Sequence, residues 1–166
     1  MTNQQAPATD RAGLLRRLRQ GDVEADQLLT GTTPRHLTAV PVAGGWSVRD
    51  VIAHCIAHEQ FALDELRAVL GEAPRTVDYR DADSFNAGAA AAMRSLEPRI
   101  VVAGWRTSRR EVIAFVERLP DDAFDPSGTV AARLGDTIDG ALANNTYEHW
   151  AAHLAEIRQA LAGDLA

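Results

Sequence analysis

Apolar residues recur three and four positions apart along four long stretches of this chain, and no stretch shows the apolar–polar alternation of a half-buried strand. That periodicity restricts the fold more than any other feature. The first stretch, 10–29, carries Leu14, Leu15, Leu18, Ala25, Leu28 and Leu29 on one face, with Thr9 or Asp10 as its cap. Gly21 lies inside it, at a cost of about 1 kcal/mol relative to Ala. The second opens at Ser47, with Asp50 three residues on in a capping-box pattern. It runs to Leu70, where Gly71 is placed to end it. The third, 84–119, is divided by Pro98 into Ser84–Leu96 and Glu97–Leu119, because Pro is tolerated only in a first turn or at a kink. Its second piece carries Ile100, Val101, Trp105, Val112, Phe115 and Leu119. The last spans Thr137–Leu161 with Asp136 as its cap. Four amphipathic helices of this length predict an all-α four-helix bundle, joined by long loops at 30–45, 72–83 and 120–136.

The chain of 166 residues suits one domain at 10–166, preceded by a disordered or frayed segment at 1–9 that is polar and aperiodic. The formal charge is −6, and no basic stripe is interleaved with aromatics, which argues against a nucleic-acid or anionic-membrane partner. No apolar run approaches the ~20 residues that span a bilayer. The start of the chain lacks the pattern of a secretion signal, so a cytoplasmic location is expected. Cys55 is the single cysteine; it reads as a small buried residue rather than a metal ligand.

Four of the five histidines form two pairs, His54 with His58 (HCIAH) and His149 with His153 (HWAAH). Residues four apart share a helix face, roughly 6 Å from one another. The stripe through Ile138, Leu142, Asn145, His149, His153, Glu156 and Ala160 is polar in its middle and apolar at its ends. His54 and His58 share an apolar face with Val51, Cys55, Ala62 and Val69. Both pairs are therefore expected to point inward, where polar groups need partners. One divalent ion held between the second and fourth helices would satisfy several imidazoles at once. The alternative is that the histidines are incidental and satisfy one another. Trp150 follows His149 where a zinc protease would carry Glu, so that chemistry is not supported. His36, beside Pro34, is expected in an exposed loop. Trp46 and Trp105 read as packing anchors, and Trp150 as a residue flanking the stripe, against a neighbouring helix or a dimer contact.

The segments GGWSVRDVIAHCIAHE, FNAG at 85–88, TSRREVIAFVERLPDDAF at 107–124 and NNTYEHWAAHLAEI at 144–157 together resemble the DinB-like (YfiT-like) superfamily of four-helix bundles. The TYEHW ending is most similar to its ClbS/DfsB branch. The resemblance implies a metal site of His54, His149 and His153, with zinc or nickel as the ion. His58 lies outside that triad and is left as a supporting partner, a fourth ligand or a substrate contact. The superfamily includes mycothiol-dependent maleylpyruvate isomerases and bacillithiol S-transferases, so the resemblance implies a low-molecular-weight thiol as cosubstrate. It also implies a homodimer, which exposed Tyr147 and Trp150 would suit.

The expected function is a divalent-metal-dependent thiol S-transferase or related detoxifying enzyme acting on a small molecule. Glu156 would orient an imidazole or accept a proton, and Asn145 would bind substrate or a ligand. The alternatives are a non-catalytic binding or self-protection protein of the ClbS kind, and a metal-assisted hydrolase.

Overall fold

The structure, a computed structural model, describes residues 10–77, 79 and 81–164. The expected disordered segment at 1–9 lies outside the described residues. Four long helices, α1 (Arg11–Leu29), α3 (Val48–Val69), α5 (Pro98–Arg118) and α8 (Tyr147–Asp164), form the bundle. Four shorter ones, α2 (Pro34–Ala39), α4 (Ala82–Met93), α6 (Thr129–Leu134) and α7 (Ile138–Ala143), fill the connections. Around the bundle the order is α3, α5, α1, α8, and α4 lies outside against α3. Among the described residues there is no strand, only an isolated antiparallel bridge between Pro41 and Ser47.

Local chemistry sets the helix ends. Asp10 caps α1 by accepting from the Gly13 N–H at 2.6 Å. Ser47 and Asp50 make the reciprocal capping box at the head of α3: the Asp50 N–H donates to Ser47 Oγ at 3.2 Å, and the Ser47 N–H to Asp50 Oδ2 at 3.0 Å. At its far end Gly71 has φ +75, and the Glu72 and Gly71 N–H groups donate to the carbonyls of Arg67 and Ala68. That is a Schellman termination, which a side chain at position 71 would strain. Pro98 stands in the first turn of α5, where its missing N–H costs no hydrogen bond.

The core has two halves. One gathers Ala25, Leu29, Ile52, Cys55, Val101, Trp105, Trp150 and Leu154; the other gathers Leu14, Leu18, Leu63, Leu66, Val112, Phe115 and Leu142. Between them the helices place a buried polar layer, with Glu59 from α3 (0% exposed) and Ser108 and Arg109 from α5 (3% and 1%).

Several local expectations change. Residues 34–39 form a helix because Thr33 caps it and His36 reaches back to the Thr33 N–H. His36 is thus half-buried on α2 instead of exposed in a loop. The connection at 120–136 contains α6. Ile100, assigned to the apolar face of its helix, is 56% exposed. The expected single helix over 137–161 is two: Thr137, not Asp136, caps α7 through the Gly140 N–H, and the helix breaks at Asn144–Thr146. The cause is Asn and Thr chemistry: Asn145 Nδ2 donates to the Ala141 carbonyl at 3.0 Å and Thr146 Oγ1 to that of Leu142 at 2.6 Å. These side chains compete with the helical hydrogen-bond ladder and satisfy carbonyls the break would orphan.

Candidate metal centre

The capping box fixes where α3 begins and so places His54 on the face turned to α8. The break at 144–146 starts α8 at Tyr147 and puts His149 and His153 in its first two turns. One ring nitrogen from each of His54, His149 and His153 lies within 4.8 Å of the others. His54 is 5% exposed and the other two are half-buried. The Nε2 atoms of His54 and His149 are 2.8 Å apart. His153 Nδ1 lies 2.9 Å from Glu156 Oε2. A carboxylate accepts, so Nδ1 carries the proton and the Nε2 lone pair is left free for the cluster.

Burial holds two of the imidazoles neutral. It lowers His54 to about 4, with the neighbouring His58 and His153 adding to the effect. It lowers His149 to about 3, again reinforced by His58, His153 and His54. Neutral imidazoles are the ligating form.

His58 belongs to a different set of contacts. It is buried, its ring stacks on that of His149 at 4.4 Å, and its Nδ1 lies 3.1 Å from Asn145 Oδ1. Because Asn145 Nδ2 is committed to the Ala141 carbonyl, Oδ1 faces His58 and accepts from Nδ1–H. On the other side of the ring, His58 Nε2 lies 3.2 Å from Asn86 Oδ1. Asn145, expected at a ligand or substrate, thus touches His58 rather than the three clustered histidines. Asn86, Phe85 and Tyr79 at this position were not singled out by helical periodicity. Only the structure brings α4 and the loop before it against α3. Trp46 packs edge-on against His54 with ring centroids 5.2 Å apart.

Trp150 and Tyr147 do not form an exposed dimer surface. Trp150 is 0% exposed; its ring lies 4.9 Å from that of Trp105, and Nε1 donates to Glu59 Oε1 at 2.8 Å. Tyr147 is half-buried, and its hydroxyl donates to Asp139 Oδ1 at 2.9 Å. Glu59 also accepts from Arg109 Nη1 at 3.0 Å. Burial raises the Glu59 carboxyl to about 7 against the pull of Arg109. One signal for this layer was present: Glu59 follows Cys55 by four residues on the same inward face.

The three histidines fit a divalent cation. Three nitrogens converge from two facing helices, two of them on imidazoles held neutral, and the third imidazole is oriented by a carboxylate. His54 Nδ1 is buried without a hydrogen-bond partner, and the close His54–His149 approach satisfies only one donor. A cation would take up the lone pairs that the imidazoles cannot offer one another. Three protein ligands leave a coordination position open, as catalytic sites require. Cys55 is fully buried, and burial holds its thiol well above its ordinary range, so it is no ready thiolate ligand.

Solved structures share the fold at low identity. A protein described as uncharacterised from Escherichia coli UTI89 superimposes with a TM-score of 0.78 at 14% identity, covering 95% of this chain and 96% of that one. The colibactin self-resistance protein ClbS, solved with double-stranded DNA, gives 0.77 at 12%, covering 94% and 98%. DfsB, a sibling lethal factor precursor, gives 0.75 at 16%, covering 92% and 95%. No curated protein sequence matches the chain. Residues 17–157 match the DinB superfamily, and with the bundle and its histidine cluster in place the chain is a member of that superfamily.

Proposed function

We propose that this protein is a divalent-metal-dependent enzyme that joins a low-molecular-weight thiol to a small electrophile, or carries out a related detoxifying reaction. The observation that carries this is the convergence of His54, His149 and His153 within 4.8 Å. These residues would hold a zinc or nickel ion, which when bound lowers the pKa of a thiol or water at its open position. The chain's part is to hold and orient: Glu156 keeps the His153 proton on Nδ1, and burial keeps His54 and His149 unprotonated. The thiolate sulfur would bond to an electrophilic carbon as that carbon's bond to its leaving group breaks, the leaving group departing with the electron pair and the thiol proton passing to solvent.

The partner is a small molecule. With 17 basic against 23 acidic residues, the chain lacks the charge for a nucleic acid, although the fold neighbour ClbS was solved with DNA. No described helix is long and apolar enough to cross a membrane.

The test is metal content by elemental mass spectrometry, followed by turnover of thiol plus electrophile. Near one ion per chain is expected, lost in His54→Ala and His149→Ala together with thiol-dependent activity. Activity without added thiol would point to metal-assisted hydrolysis instead. A chain that takes up no zinc, nickel or manganese would sink the proposal and favour a binding or self-protection protein.

A further inference from the structure

Beside the histidine cluster stand three aromatic rings that neither half of the core absorbs. Phe61 projects from α3, Phe85 from α4, and Tyr79 from the loop between them. Phe61 and Tyr79 are 4.9 Å apart, Tyr79 and Phe85 4.9 Å, and Phe61 and Phe85 6.1 Å. Phe61 and Phe85 are only half-buried and Tyr79 is 39% exposed, so this is a surface feature. The loop is held on both sides of Tyr79. Upstream, Asp64 accepts from the N–H groups of Thr76 and Val77 at 2.8 and 2.9 Å; downstream, Asp81 caps α4.

The rings are continuous with the candidate metal centre. Tyr79 and Phe85 meet the His58 ring at 5.8 and 5.3 Å, and His58 stacks on His149. A path of ring surfaces therefore runs from a metal-ligand imidazole to solvent. Its hydrogen-bonding capacity is small: both His58 nitrogens are engaged, by Asn145 and by Asn86, and among the three rings only Tyr79 carries a polar atom, its hydroxyl. A sugar or a charged group would be left short of partners here, whereas a flat apolar group would gain ring contacts.

We propose that Phe61, Tyr79 and Phe85 form the recognition wall for the substrate, selecting an electrophile that carries an aromatic or conjugated planar group. This rests on the reading of the site as an enzyme's, yet it is tested without turnover. The metal-free full chain is titrated with 1-naphthol and with its saturated counterpart 1-decalol, and the backbone amide NMR signals are followed. Naphthol is expected to shift His58, Phe85 and Asn86 and to bind about fivefold more tightly than decalol, the range that ring–ring contacts supply. Phe85→Leu keeps apolar volume and should erase that preference with folding intact; Tyr79→Leu is the second variant if the first does not fold. Equal affinity for both probes, shifts centred elsewhere, or a preference that survives both variants would overturn the proposal. Failure of thiol turnover with naphthol binding intact would count against the thiol chemistry alone.

Discussion

His54 and His149 differ from ordinary histidines in that folding denies them a proton. The unfolded chain takes up protons at both as pH falls through about 6.5. The folded chain refuses them until about 4 at His54 and about 3 at His149. Between those limits the unfolded state binds more protons, so stability is present above 6.5 and lost as the pH falls toward 4. Each withheld proton contributes a slope of about 1.4 kcal/mol per pH unit. Glu59 works in the opposite sense: its carboxyl is raised to about 7, so its folded form holds a proton that the unfolded form has lost above about 4.5. Its contribution therefore falls as pH rises from 4.5 to 7. The histidine part is isolated by urea unfolding of chelator-treated wild type and of His54→Ala with His149→Ala. The wild type should lose stability faster than the double variant from pH 6.5 to 4. Parallel curves would mean the imidazoles are not held neutral.

At the scale of the element, what the sequence makes legible is what periodicity and caps encode. Ser47 and Asp50 announce the start of α3 because the capping box needs only residues three apart in the same strip of chain. Ser47→Ala should cost about 1 kcal/mol, read as a lower urea midpoint with metal stoichiometry unchanged. A larger loss, or loss of the metal, would mean that Ser47 also holds the loop carrying Trp46 over His54. The two histidine pairs were legible for the same reason: spacing four puts a pair on one face, and apolar neighbours turn that face inward, whereas the choice of His54, His149 and His153 without His58 came from the family resemblance. The α7–α8 break was visible in Asn144, Asn145 and Thr146, but helical phase carried the reading through them. Asn and Thr side chains can replace the ladder they interrupt, a property that helical phase does not record. Phe85 and Asn86 stood in the FNAG segment of the resemblance, but their place beside His58 and Tyr79 was out of reach, since the packing of α4 on α3 depends on tertiary contacts that no local spacing records.

The whole molecule is tied together where its two half-cores meet. Glu59 Oε1 accepts from Arg109 on α5 and from Trp150 on α8, joining three of the four bundle helices at one carboxylate beside the candidate metal centre. The layer also accounts for Gly21 inside α1: a Cβ there would stand 3.0 Å from Arg109 Nη2, which Glu59 prevents from moving freely. The helix propensity that Ala would add, about 1 kcal/mol, is thus opposed by crowding against a buried guanidinium. Above pH 7, where Glu59 is ionised, the pair is costly to break on one side only, because the buried Arg109 guanidinium then keeps only the partly exposed Asp22, 3.8 Å from its Nε. Glu59→Ala should therefore cost about 3–5 kcal/mol. Glu59→Met combined with Arg109→Leu removes both charges and restores apolar volume. It leaves Trp150 Nε1 without an acceptor, a loss of about 1–3 kcal/mol. The double variant should accordingly be more stable than Glu59→Ala in urea unfolding, though still below wild type. If it is as unstable as the single variant, the layer acts through shape and packing rather than through mutual charge compensation.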